Sequence, residues 1–169
     1  MRIRGYRRAL RLVDYATERV VIAAGAVMVV LVAAEVAGRY VFANSIFFAN
    51  ELSRLAFVWT IFLGMPLALS RGRHVGVNLL LFLLPRTPAR EIFRFGCVAS
   101  AILMALVVHQ SVRLLIDNWD QNMMTVPWSA GLFALPIPIG AALSLAHLID
   151  MSMDAGGALD TLLSAEPAE

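Results

Sequence analysis

Residues 51–84 read ELSRLAFVWTIFLGMPLALSRGRHVGVNLLLFLL. Glu51 and Arg54 open an uncharged run from Leu55 to Ser70, and Arg71-Gly72-Arg73-His74 closes it before a second apolar run begins. An apolar run of this length that ends on clustered arginine is the pattern of a membrane-spanning helix whose cytoplasmic end is marked. The charges at its other mouth are unusual for a simple anchor.

Working outward, three more segments of the 169-residue chain are long enough to cross a hydrocarbon core, which takes roughly 20 helical residues. The spans fall at about 20–42, 51–70, 93–115 and 127–149. A backbone in lipid must satisfy its own hydrogen bonds, so each span is a helix, and no ten-residue strand alternation supports a barrel. The reading is an all-α integral membrane protein with one four-span domain over residues 1–152. A mobile acidic tail follows over 153–169. Hydrophobic residues make up 60% of the chain, above the usual half of a soluble domain, and leave no room for a second domain.

Arginine placement sets the orientation. All fourteen basic residues are Arg. Arg2, Arg4, Arg7, Arg8, Arg11 and Arg19 precede the first span, and Arg71, Arg73, Arg86, Arg90 and Arg94 surround the middle connection. The connections at 44–50 and 116–126 carry none, and Arg113, near the second of them, is outnumbered. The positive-inside rule then puts both termini in the cytoplasm, with Tyr40, Trp119 and Trp128 at the outer aromatic belt. Ile3, Tyr6, Leu10, Val13 and Ala16 recur at helical spacing opposite Arg4, Arg8 and Arg11. That pattern predicts an amphipathic N-terminal helix on the inner leaflet, held by membrane lipids. The alternative is a cytosolic extension of the first span. The long basic start, with Glu35 and Arg39 further on, does not fit a cleaved signal. Residues 75–84, fenced by His74, Pro85 and Pro88, read as an interfacial or re-entrant segment.

Charges inside the spans need partners, because an unpaired charge near mid-bilayer costs roughly 2.5–3.5 kcal/mol on the translocon scale. Glu35 and Arg39 share one helix face, as do Glu51 and Arg54, and a short connection folds the two spans into a hairpin. Glu35 has Arg39 as its nearest partner and Arg54 next. The polar group is read as a clamp, as a grip on another subunit, or as an ion relay. Pro66, Pro136 and Pro138 bend their helices, and the last two free the carbonyls of Leu132 and Ala134. Such breaks are static kinks or, in some transporters, parts of a transport site. Gly64, and Gly140 with Ser144, offer surfaces for close helix packing.

Several function classes are excluded. A net charge of +2 gives no case for nucleic acid. The single cysteine, Cys97, removes a disulfide framework and multi-cysteine metal sites and reads as a packing residue. His74 and His147 end their spans at the cytoplasmic face, and His109 lies near the outer end of the third. No pair inside the spans faces across the bundle at one depth, so bis-histidine haem is rejected. His-Glu-x-x-His, Walker, Rossmann and Gly-x-Ser-x-Gly patterns are absent. No cofactor, metal or enzyme activity is expected.

These residues resemble the small membrane subunit of tripartite ATP-independent periplasmic (TRAP) transporters, the DctQ-like family. The likeness rests on Glu51, Arg54, Trp59, Phe62-Leu63-Gly64 and Arg71-Gly72-Arg73-His74-Val75. It extends to Glu35 and Arg39-Tyr40 in the first span, and to Pro127-Trp128 and Pro136-Ile137-Pro138-Ile139-Gly140 in the fourth. It covers residues 10 to 152 or so. Asn78 departs from it, standing where the family more often has an acid, so no role of that acid carries over.

The resemblance implies a non-catalytic subunit in the bacterial inner membrane. Its partners would be a large multi-span permease subunit and a periplasmic substrate-binding protein, in sodium-driven import of a small organic acid. Glu35, Arg39, Glu51, Arg54, Trp59 and Gly64 would hold the hairpin or grip the large subunit, and Arg71, Gly72 and His74 would form a cytoplasmic motif. The outer connections, with Asp117 and Asp120 on the second, are candidates for touching the binding protein. Two alternatives stand beside this one. A self-sufficient proton-coupled exporter would use Glu35 as its proton site, against which Arg39 one turn away would hold Glu35 ionised. The other is the small subunit of a different tripartite carboxylate transporter.

Overall fold

The computed structural model describes residues 2–41, 43–44, 46–70 and 86–153, with side chains throughout except at 2–9, 86–88, 90 and 153. The Arg71-Gly72-Arg73-His74 motif, the connection up to residue 85 and the acidic tail from 154 lie outside the described residues. The described chain is helical: α1 Arg2–Val41, α2 Phe47–Ser70, α3 Arg86–Asp117, a four-residue turn α4 Gly131–Ala134, and α5 Pro136–Met153. Among the described residues four stretches are long and apolar enough to cross a membrane: Leu10–Val41, Phe47–Ser70, Glu91–Asp117 and Gly131–Ser152.

α1 is one unbroken helix of 40 residues. At 1.5 Å per residue it is roughly 60 Å long, twice the hydrocarbon thickness. The N-terminal helix is therefore present but is not a separate element turned onto a surface. It continues straight into the first span, as the extension alternative has it. No proline interrupts it, and a helix once started adds residues cheaply. Arg19 braces this segment, lying over the Tyr15 ring at 5.0 Å and donating to its hydroxyl at 3.0 Å. The helix ends where Ala43 takes a φ of 51° and the Asn44 amide returns to the Gly38 carbonyl at 3.0 Å. α3 begins at Arg86, before the expected start, with Pro88 in its first turn, where a missing N–H costs nothing.

The four long helices form an open row. α1 packs on α2, α2 on α5, and α5 on α3, with no contact between α1 and α3 among the described residues. Burial follows from position in the row. α2 buries Ala49, Ser53, Ala56, Leu63 and Leu67 at helical spacing. α5 buries Pro136, Gly140, Ala141, Ser144, His147 and Leu148. On α1, by contrast, only Thr17 and Gly38 are fully buried among the described residues. Hydroxyls in the spans bond back to their own helices, Thr60 to Ala56, Ser70 to Leu67 and Ser111 to Val108, which hides them from lipid. Ser144, 2% exposed, has no partner for its hydroxyl among the described residues.

Residues 127–130, expected at the start of the fourth span, belong instead to the connection between α3 and α4. There the backbone folds on itself. The Met123 amide donates to the Trp128 carbonyl at 2.8 Å, and the Ala130 amide to Gln121 at 2.7 Å, around an antiparallel bridge between Asn122 and Ser129. Pro127 and Trp128 read as apolar in sequence, but their backbone is already engaged in this small hairpin.

Candidate functional site

The polar residues singled out in the sequence separate into two groups. Arg39 donates to Glu35 one turn below it on α1 and forms an ion pair, with Glu35 largely covered and Arg39 more than half exposed. The pair is closed on a single helix. Glu51 has no arginine partner among the described residues. Its carboxylate accepts the Met124 amide at 2.9 Å, the Thr125 amide at 2.7 Å and the Thr125 hydroxyl. One carboxylate at the head of α2 thus bolts down the distant 118–130 loop. Arg54 is exposed and makes no hydrogen bond or ion pair among the described residues. It lies on an open face of α2 with Phe47, Asn50, Phe57 and Ile61, at i, i+3, i+7, i+10 and i+14.

Below that bolt, α2 and α5 exchange the carbonyls that their prolines release. Pro136 has no N–H for the Leu132 carbonyl, and Trp59 of α2 donates its indole N–H to that oxygen at 3.1 Å. Pro66 likewise releases the Phe62 carbonyl. A Cβ at Gly140 of α5 would meet the Phe62 oxygen at 2.0 Å and the Phe62 carbonyl carbon at 2.8 Å. The hydrogen that stands in for that Cβ points at the oxygen, a weak C–H···O contact that only glycine permits. Gly64, by contrast, has nothing within 4 Å of a Cβ built on it. The close approach of the two middle helices is therefore made at Gly140.

The outer loop is compact. Ser129 donates its hydroxyl to the Trp119 carbonyl at 2.6 Å and accepts the Gly131 amide at 3.1 Å. A Cβ at Gly131 would press on the Trp119 ring at 2.9 Å. The loop presents Trp119, Trp128 and a fully exposed Met124 outward. At the other end of the row, His147 of α5 and Asp14 of α1 pair at 2.9 Å, joining the N-terminal extension to the last helix. No group of three His, Cys, Asp or Glu side chains able to hold a metal occurs among the described residues. Cys97 is buried and reduced. His109 lies exposed on α3.

Glu35, Arg39, Glu51, Trp59, Pro66 and Pro136 thus all sit at the contacts that position the row or on the α1–α2 hairpin, whereas Arg54 and Gly64 face outward or into open space. Sequence reading missed Thr125, the partner of Glu51. It also missed the Asp14–His147 pair, whose members stand 133 residues apart. Leu132 and Trp59 were both visible in the sequence, but nothing there joined the freed carbonyl to the indole.

The sequence profile described as tripartite ATP-independent periplasmic transporters, DctQ component, matches residues 28–155, from the C-terminal part of α1 through the end of α5. The chain belongs to the DctQ family. Among its relatives is the ectoine TRAP transporter small permease protein of Halomonas elongata, 24% identical over 106 residues, 62% of this chain and 55% of that protein. The C4-dicarboxylate TRAP transporter small permease protein of Vibrio cholerae is 32% identical over 93 residues, 55% of this chain and 37% of that protein. A putative TRAP transporter small permease protein of Haemophilus influenzae is 27% identical over 128 residues, 76% of this chain and 78% of that one. The match spans about half or less of the length of the first two. As a DctQ-family chain this is a small permease subunit of a TRAP transporter and a multi-pass membrane protein.

Proposed function

We propose that this chain is the scaffold subunit of a sodium-driven transporter that imports a small organic acid across the bacterial inner membrane. In this reading both termini lie in the cytoplasm, a large multi-span permease packs beside the row, and the 118–130 loop helps to dock the periplasmic binding protein. The observation that carries it is the open outer face of α1, which packs on α2 through a half-buried stripe and whose only fully buried described residues are Thr17 and Gly38. A helix with so little internal burial gains its place from lipid or from another subunit. The open face of α2 around Arg54 supports the same reading, since arginine and aromatic residues are enriched where proteins meet. The organic-acid class rests on the C4-dicarboxylate relative, and the orientation rests on the arginine asymmetry. Glu35 is already engaged by Arg39 on its own helix, which leaves the exporter alternative without a free carboxylate there.

The test is reconstitution. This chain and its large subunit should co-purify, and vesicles holding both should take up substrate when supplied with binding protein and a sodium gradient. Vesicles holding this chain alone should take up none. Uptake by the chain alone would refute the reading.

A further inference from the structure

Outward along the free face of α3, the side chains run in a fixed order of polarity. Leu106, Gln110, Arg113 and Asp117 stand at i, i+4, i+7 and i+11, so they form one column. At 1.5 Å per residue, Gln110 lies about 6 Å beyond Leu106, Arg113 about 10 Å and Asp117 about 16 Å. Beside this column an open groove of about 460 Å³ runs between α3 and α5, lined by Leu106, Val107, Gln110, Ser111, Leu114 and Ile137. Its lining is apolar apart from Gln110 and Ser111, and the Ser111 hydroxyl is already spent on the Val108 carbonyl. Leu106 is 58% exposed. The side chains of Gln110, Arg113 and Asp117 make no hydrogen bond or ion pair among the described residues. Arg113 and Asp117 are one turn apart yet unpaired, with the base preceding the acid, the weaker order on a helix.

We propose that this face binds one phospholipid whose phosphate carries a primary amine, phosphatidylethanolamine. The order of the column matches the order of groups along that lipid. An acyl chain lies in the groove, a glycerol ester carbonyl accepts from Gln110, the phosphate meets Arg113, and the ammonium reaches Asp117. A guanidinium suits phosphate through paired N–H donors, and an acid one turn further out discriminates for the amine. Depth agrees, because Trp119 follows two residues after Asp117 and is half exposed, as an aromatic at headgroup level is. The proposal rests on the chain's place in a membrane and not on its transport partners.

The full chain, in nanodiscs of equal phosphatidylethanolamine and phosphatidylglycerol, is released into mild detergent and its retained lipid is weighed by native mass spectrometry. The ethanolamine lipid should be retained over the glycerol lipid by roughly two- to fivefold, the range an exposed ion pair supports. Arg113→Gln should lower retention of both lipids, and Asp117→Asn should turn the preference toward phosphatidylglycerol because only the cation remains. Equal retention in the wild type, or no change with Asp117→Asn, overturns the proposal. A photo-crosslinking residue at Leu106, in cells that also make the large subunit, should yield an adduct of lipid mass. An adduct of protein mass, or none of lipid mass, assigns the groove elsewhere and overturns it.

Discussion

α1 and α5 are both apolar helices of one short chain, yet their surroundings differ sharply. α5 is in the middle of the row and buries its stripe against α2 and α3, while α1 lays one half-buried stripe on α2, meets α5 at Asp14–His147, and buries almost no residue fully. In water, that difference would mark α1 as misplaced. In a bilayer it does not, because lipid is as apolar as any helix face, and helices associate through close packing and hydrogen bonds. Stability should therefore concentrate where backbones approach and freed carbonyls are satisfied, at the α2–α5 contact. α1 is left available for whatever lies outside the chain.

The largest effect expected of that contrast is at the glycines. Gly140→Leu forces α2 and α5 apart at the Phe62 carbonyl and should cost at least the 1–3 kcal/mol typical of overpacking, about that range or beyond. Gly25→Leu on α1, where a Cβ meets nothing within 4 Å, should leave the melting temperature in detergent unchanged. Equal effects would erase the distinction between the two helices.

Next comes the exchanged carbonyl. Trp59→Phe leaves the Leu132 oxygen without a donor and should cost roughly 1–3 kcal/mol. Adding Pro136→Ala restores an N–H four residues after Leu132 and should recover part of the loss in a double-mutant cycle. Full additivity of the two changes would show that the indole bond carries no weight.

A more local effect is expected at the loop. Glu51→Gln keeps one acceptor oxygen but replaces the other with a donor amide that faces donors. Amide exchange at Met124 and Thr125 should quicken, with the melting temperature of the row little changed. A global loss of stability would mean that the loop and the helices fold as one unit.

The smallest effect belongs to α1. Glu35→Ala should destabilise more than Glu35→Ala with Arg39→Ala, since the single change strands a cation. Arg39 is more than half exposed, so the coupling should stay within about 1 kcal/mol. No coupling should be found between Glu35 and Arg54, which the structure does not pair. Coupling to Arg54 would restore the four-charge hairpin that spacing alone suggests.

How much could be read in advance varied by element. The spans were legible because the cost of bare backbone in lipid leaves only long apolar helices, and their lengths are set by bilayer thickness. Boundaries were less so. Pro127 and Trp128 look apolar enough for the fourth span, yet their backbone is committed to the 122–129 hairpin. The partner of Glu51 was not legible, because Thr125 is an ordinary loop residue and the contact is set by how the α3–α4 connection folds over α2. The glycine that packs closely was equally hidden, since Gly64 and Gly140 look alike until the two helices are placed side by side.

By itself the sequence determined that this chain crosses a membrane in four helices, which charges enter those spans, and which carbonyls its prolines would release. Each of those follows from local chemistry: hydropathy over a fixed thickness, the placement of arginine, and the missing N–H of proline. Only the tertiary structure decided that the helices stand in a row with α5 beside α2, that Trp59 answers Leu132, and that Glu51 holds a loop rather than an arginine. Those are choices among partners of similar chemistry, and in lipid they are settled by which surfaces come close enough to touch.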